Sequence, residues 1–177
     1  ITIIVLLLLA GVTLNMVIGE NGLFQKADIA REKTNYSNAK EVINLKLMDI
    51  ETECYSEGKE YNIEEIAKSI KDASNIMIEK YYNEEIGSIK NGVEENLNNL
   101  KGLAISVNNY SKYKFLIGKD GKINGILIGN ITDTTKIDEF KKIEDYEKEN
   151  KESNEDEEQK DVVIKVPDID SSIDTSK

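Results

Sequence analysis

The chain opens on Ile1-Thr2-Ile3-Ile4-Val5-Leu6-Leu7-Leu8-Leu9-Ala10-Gly11-Val12-Thr13-Leu14-Asn15-Met16-Val17-Ile18, a run without one charged side chain. As a helix its roughly 18 residues would rise about 27 Å, close to the thickness of a bilayer's hydrocarbon core. About thirteen of the side chains are large and apolar, which favours membrane insertion by very roughly 4 to 8 kcal/mol before Thr2, Thr13 and Asn15 are subtracted. They fall all round the helix and leave no polar face to meet water. A cleaved secretory signal would have a basic start and a small-x-small cut site, but no Lys or Arg occurs before Phe24. A core helix of a soluble protein would keep some polar face. The stretch therefore predicts a membrane-inserted helix, carried by Ile3, Ile4, Val5, Leu6, Leu7, Leu8, Leu9, Ala10, Gly11, Val12, Leu14 and Val17. Because the run begins without Met or a flanking charge, a short piece is expected to precede Ile1, and the positive-inside rule gives no orientation.

Beyond this run, 177 residues leave room for one modest globular domain and a tail. The net charge of −11, with no basic cluster, excludes a direct nucleic-acid binder, which needs grouped Lys and Arg for phosphates. Histidine is absent and Cys54 is the only cysteine. The commonest general base, the commonest metal ligand, an internal disulfide and a thiolate metal cage are thus all missing. No catalytic residue, cofactor or metal is assigned.

Gly19-Glu20-Asn21-Gly22 marks a place for a helix to loosen or stop, with Gly19 and Gly22 as the break. At 100° per residue, Ile29, Tyr36, Ala39, Ile43, Leu47, Ile50 and Cys54 then share one stripe. That pattern predicts a long amphipathic helix over 23–55, stopped by Gly58 in a left-handed conformation. Cys54 and Tyr36 lie on the stripe and read as packing residues. Asn62 with Glu65 three positions on is a capping-box pattern for a short helix over 63–73. Ile76 to Tyr82 reads as a strand, 94–100 as a helical turn or two, and 104–107, 113–117 and 123–128 as three further strands.

The Asp120-Gly121 pair between the last two strands predicts an antiparallel hairpin on a type I′ turn. Tyr113, Phe115 and Ile117 should lie over the long helix, with Lys112 and Lys114 facing out. One Asp in a turn falls short of a calcium loop, and the neighbouring glycines lack the helix and Lys-Ser/Thr of a phosphate loop. From about Asp138 the chain turns acidic, carrying about −8 of the charge with little to bury. It is expected to be a largely disordered tail, apart from frayed helix near 140–148 and an extended piece, Val162 to Val166. The division expected is 1–18 for the membrane half of the helix, 19–137 for an α+β globular domain, and 138–177 for the tail.

Together, Ile1-Thr2-Ile3-Ile4-Val5-Leu6-Leu7-Leu8-Leu9-Ala10-Gly11-Val12-Thr13 and Gly19-Glu20-Asn21-Gly22-Leu23-Phe24-Gln25-Lys26-Ala27 resemble the start of a type IV pilin or pseudopilin of the Gram-positive, clostridial kind. Tyr113 to Gly129 resembles, more loosely, the strand-turn-strand unit of such proteins. The resemblance implies a prepilin whose basic leader a membrane peptidase removes and whose apolar helices bundle into a filament core. It also implies an extracellular globular domain. The cleavage motif, the methylated residue and the family's acidic residue near the mature N-terminus would all precede Ile1, so none is carried over.

The function expected is a non-enzymatic, membrane-anchored subunit that contacts lipid and polymerises with pilin-like partners, for adhesion, motility, secretion or DNA uptake. The alternative is a monomeric single-pass surface protein whose outer domain or acidic tail binds a partner. A paired-carboxylate hydrolase ranks below both, because Glu64-Glu65, Glu84-Glu85 and Glu94-Glu95 are sequence neighbours that read as solvated surface.

Overall fold

A computed structural model describes residues 2–6, 11, 22–83, 87–89, 97 and 99–158. Its contacts separate two units, Ile1–Lys142 and Ile143–Lys177. In the first, helix α1 (Leu23–Glu57) runs for 35 residues. No Gly or Pro interrupts it, and Ala, Leu, Lys and Glu are frequent, so propensity and pattern agree. Gly22 precedes it in extended conformation without a side-chain cap. At the other end Gly58 takes φ +67, its N–H donates to the Tyr55 carbonyl, and Lys59 N–H donates to Cys54. This paired closure satisfies two otherwise orphaned carbonyls.

Burial along α1 follows the expected stripe, with Ala39, Ile43, Leu47, Ile50 and Cys54 all buried and Tyr36 half-buried. Ile29, at the stripe's start, is exposed, so the helix reaches past the body it packs on. Helix α2 (Ile63–Lys71) is shorter than expected by two residues. Asn62 caps it, its Oδ1 accepting from the N–H groups of Glu64 (3.0 Å) and Glu65 (3.1 Å). Ile63, Ile66, Ala67 and Ile70 are buried, and α2 touches α1, β1 and β3. Burying each such aliphatic side chain contributes about 1.5–3 kcal/mol.

The sheet is wholly antiparallel and six-stranded: β1 (Ile76–Asn83), β2 (Gly87–Ile89), β3 (Leu100–Val107), β4 (Tyr113–Gly118), β5 (Ile123–Ile128) and β6 (Lys141–Lys142), in the order β2-β1-β3-β4-β5-β6. The molecule is therefore α+β, a long helix on an antiparallel sheet. Leu100 begins β3 instead of ending a helical turn, and Asn99 before it takes φ +68. Of the turn expected over 94–100, residues 94–96 and 98 lie outside the described residues. Ile105, Phe115 and Ile117 are fully buried, and the ring of Tyr36 lies 5.9 Å from Tyr113 and 6.1 Å from Phe115. Tyr113 Oη donates to the Glu32 carbonyl at 2.9 Å, so this face of β4 does lie under α1.

The opposite face departs from expectation. All six residues of β4 are buried, Lys114 included, so its side chain does not face solvent as the alternation predicted. The reason is a strap over 129–140 that covers this side, where Tyr82, Ala104, Leu116 and Phe140 form a second core with Leu127, Ile131 and Ile137 against it. Gly102 permits the approach, since a Cβ there would stand 2.8 Å from Ile137 Cδ1. Phe140 packs edge-on against Tyr82, and Lys141–Lys142 pairs with β5. The folded unit thus extends to Lys142, past the expected boundary at 137.

The β4–β5 hairpin forms as expected, but on a different turn. Gly118 N–H donates to the Lys122 carbonyl and Gly121 N–H to that of Gly118, with Gly121 at φ +72. Asp120 is not left-handed, so the loop is a type I turn closed by a left-handed glycine, not type I′. Gly121 also makes room for Tyr61, whose hydroxyl donates to the Gly121 carbonyl at 3.0 Å. In the second unit, α3 (Ile143–Glu158) is a 16-residue helix that overlaps the frayed helix expected near 140–148 and runs on past it. The extended piece expected at 162–166 lies outside the described residues.

Candidate functional site

Of the residues assigned to the membrane and assembly helix, Ile3, Ile4, Val5 and Leu6 lie in a helical segment and are exposed, at 71, 64, 49 and 66%. Gly11 is helical and exposed, with nothing within 4 Å of a Cβ placed on it. Leu7, Leu8, Leu9, Ala10, Val12, Leu14, Val17 and Gly19 lie outside the described residues. Gly22 is buried and marks the point where α1 begins. Among the described residues, no helix is long and apolar enough to cross a membrane.

Large apolar side chains are exposed at the start of α1 as well, where Leu23 is 64% and Phe24 67% exposed. Only beyond Tyr36 does the helix bury one face continuously. Large side chains such as these are worth about 1.5–3 kcal/mol each when removed from water, so the N-terminal arm of α1 is a surface that gains by being covered. Charge on the arm is held locally: Glu32 pairs with Lys112 of the body.

Two polar sites were not legible in the sequence. The first lies behind the sheet, where a bulge between Ile78 and Lys80 turns Glu79 toward β4. Glu79 Oε1 accepts from Ser106 Oγ at 2.6 Å and from buried Lys114. Beside it, Lys80 is 1% exposed and donates to three carbonyls of the strap, Thr132 (3.1 Å), Asp133 (2.9 Å) and Thr135 (2.7 Å). Tyr82 Oη shares the Thr135 carbonyl at 3.3 Å, and burial pushes this phenol up to about 12. An ammonium has three donors, and here all three are used to hold the strap down. The one available signal was two adjacent charges, Glu79 and Lys80, inside an otherwise apolar strand.

The second is a groove of about 480 Å³ between α1 and α2, edged by Glu53, Glu57, Lys59, Glu65 and Lys68. Cys54 closes its floor, and burial, helped by the Glu65 carboxylate, pushes its thiol up. A thiol so shifted is a poor nucleophile, and Cys54 packs as the sequence suggested. Tyr61, likewise raised to about 12 by burial, is tied to the hairpin. Glu65 pairs with Lys68 in the same helix. Glu84, Glu85, Glu94 and Glu95 lie outside the described residues. Among the described residues, no cluster of three His, Cys, Asp or Glu side chains is placed to hold a metal ion.

The architecture defines a class, a long helix with an exposed apolar N-terminal arm laid on an antiparallel sheet. No protein-family model, no curated protein and no solved structure matches the chain.

Proposed function

We propose that the protein is a structural, non-enzymatic subunit of a type IV pilus or pseudopilus, anchored through its opening apolar helix and polymerising with pilin-like partners through it. The observation that carries this reading is the division of labour along α1. One face of its second half is buried on the sheet, while its first turns expose Leu23 and Phe24 and come four residues after an uncharged apolar run. In water such a surface must find lipid or another copy. Contact between two different surfaces of identical subunits generates an open helical polymer instead of a closed ring.

In this reading the globular unit lies outside the cell membrane and reaches the cell surface on assembly, after a prepilin peptidase has removed a leader. Gly19 and Gly22 allow the helix to loosen as the subunit leaves the bilayer. Fractionation of cells expressing the full chain tests the proposal. Sheared surface filaments containing this chain are expected. Its exclusive recovery as a monomer in detergent-solubilised membranes would overturn the proposal in favour of a single-pass binding protein.

A further inference from the structure

The outer edge of β1 is paired along only part of its length. β2 covers Tyr81, Tyr82 and Asn83, and among the described residues no strand lies beside the five before them, Ile76 to Lys80. An edge strand presents a row of backbone donors and acceptors, and natural edges are commonly guarded by charged side chains. Here both charges of that stretch are spent on the strap side of the sheet. Glu79 takes Ser106 and Lys114, and Lys80 takes the strap carbonyls. On the helix side the edge borders a groove of about 460 Å³ between the end of α2 and β1, lined mainly by Ile70, Ala73, Ile76, Met77, Ile78 and Tyr81. Met77 is 49% exposed, and Ile78 and Tyr81 are half-buried.

The sequence holds one segment that suits this edge. Val162-Val163-Ile164-Lys165-Val166 has the five residues required, and Pro167 ends it because proline has no N–H to donate. By alternation Val162, Ile164 and Val166 share one face and Lys165 takes the other. Laid beside β1 in the direction of β2, with Ile164 opposite Ile78 and Val166 opposite Ile76, the first three face the groove. Lys165 then falls opposite Met77, on the face that carries the Glu79 carboxylate, so a base approaches an acid.

The tether has the length to deliver it. The strand registers join Lys142, Gly125, Leu116, Ala104 and Lys80 in one row across the sheet. At about 4.8 Å per strand, that row and one further strand span about 24 Å. The 16 residues of α3 rise about 24 Å, and 159–161 add about 10 Å when extended. Val162 can therefore be carried from Lys142 to the edge beside Lys80. A tether this short holds the segment at an effective concentration on the order of millimolar, which favours its own chain over a second copy. We propose that 162–166 docks as an added strand on the outer edge of β1 of its own chain and fills the groove beside α2. The docking does not rest on the pilus reading.

Disulfide trapping of the full chain in mild detergent, in a Cys54→Ala background, tests this. Met77→Cys with Lys165→Cys is expected to close within single chains at least tenfold faster than Ile128→Cys with Lys165→Cys, which sets the first thiol on β5 at the other side of the sheet. Equal rates for the two pairs, or bonds formed mainly between chains, would overturn the docking. Hydrogen exchange reads the same contact without added thiols. Those amides of 76–80 that point away from β3 should exchange at least tenfold faster in Ile164→Pro than in the unsubstituted chain, while amides of α1 stay unchanged. Equal exchange along 76–80 in the two chains would overturn it as well.

Discussion

Replacing Lys80 by Met removes the ammonium and keeps most of the stem's volume, so the change isolates what the charge does. Three hydrogen bonds disappear, at 3.1, 2.9 and 2.7 Å to Thr132, Asp133 and Thr135. A bond from a charged donor contributes about 1.5–3 kcal/mol, which sets a gross loss of about 4–9 kcal/mol for the three. Against this, Met avoids the several kcal/mol of desolvation that a buried ammonium costs. The carbonyls of Thr132 and Asp133 are only partly buried and regain water, and Thr135 keeps the Tyr82 hydroxyl. The net expectation is a loss of about 2–4 kcal/mol. Urea unfolding of the detergent-solubilised chain, followed by near-ultraviolet dichroism of its eight tyrosines, measures it. Hydrogen exchange locates it: amides of 129–140 should exchange faster in the variant while those of α1 change little. Lys80→Arg should recover less than half of the loss, because a planar guanidinium cannot aim at three carbonyls arranged around a point. A loss below about 0.5 kcal/mol with unchanged exchange of the strap would refute the reasoning.

Asn62→Ala strips the cap from two amides of α2 and should cost about 1 kcal/mol, read by the same unfolding curve with exchange faster at Glu64 and Glu65. Gly58→Ala puts a side chain at φ +67 where nothing crowds it, so the loss of about 1 kcal/mol is conformational alone. Tyr61 and Tyr82 have folded pKa values raised to about 12 from a usual 10. The unfolded chain releases these protons first, so stability is full below pH 10 and declines between about 10 and 12. Tyrosinate absorbance should show Tyr61 and Tyr82 titrating late, with Tyr81 also raised by burial, and Tyr61→Phe should remove one late step and flatten the decline. Replacing Gly19 and Gly22 together by Ala should reduce filament yield in the shear assay, and an unaltered yield would rule out local loosening of the helix.

What the sequence determined by itself is everything governed by local periodicity and local caps. The stripe from Ala39 to Cys54 has the helical period, and it is buried because one face of α1 is apolar wherever the rest of the chain lies. Asn62 and Gly58 act within one turn of their own position, and Asp120-Gly121 specifies a hairpin through backbone geometry alone. The fate of the second face of the sheet was not local. Lys114 alternates correctly for an exposed residue, and only the strap, arriving from 129–140, turns its side of β4 into an interior. Lys80 could not be read as buried until three carbonyls more than fifty residues away were brought to it. A one-residue bulge, invisible in the pattern, decides that Glu79 and Lys80 share that interior. Secondary structure follows from neighbours along the chain, whereas the burial of a charge depends on what distant segments supply to satisfy it.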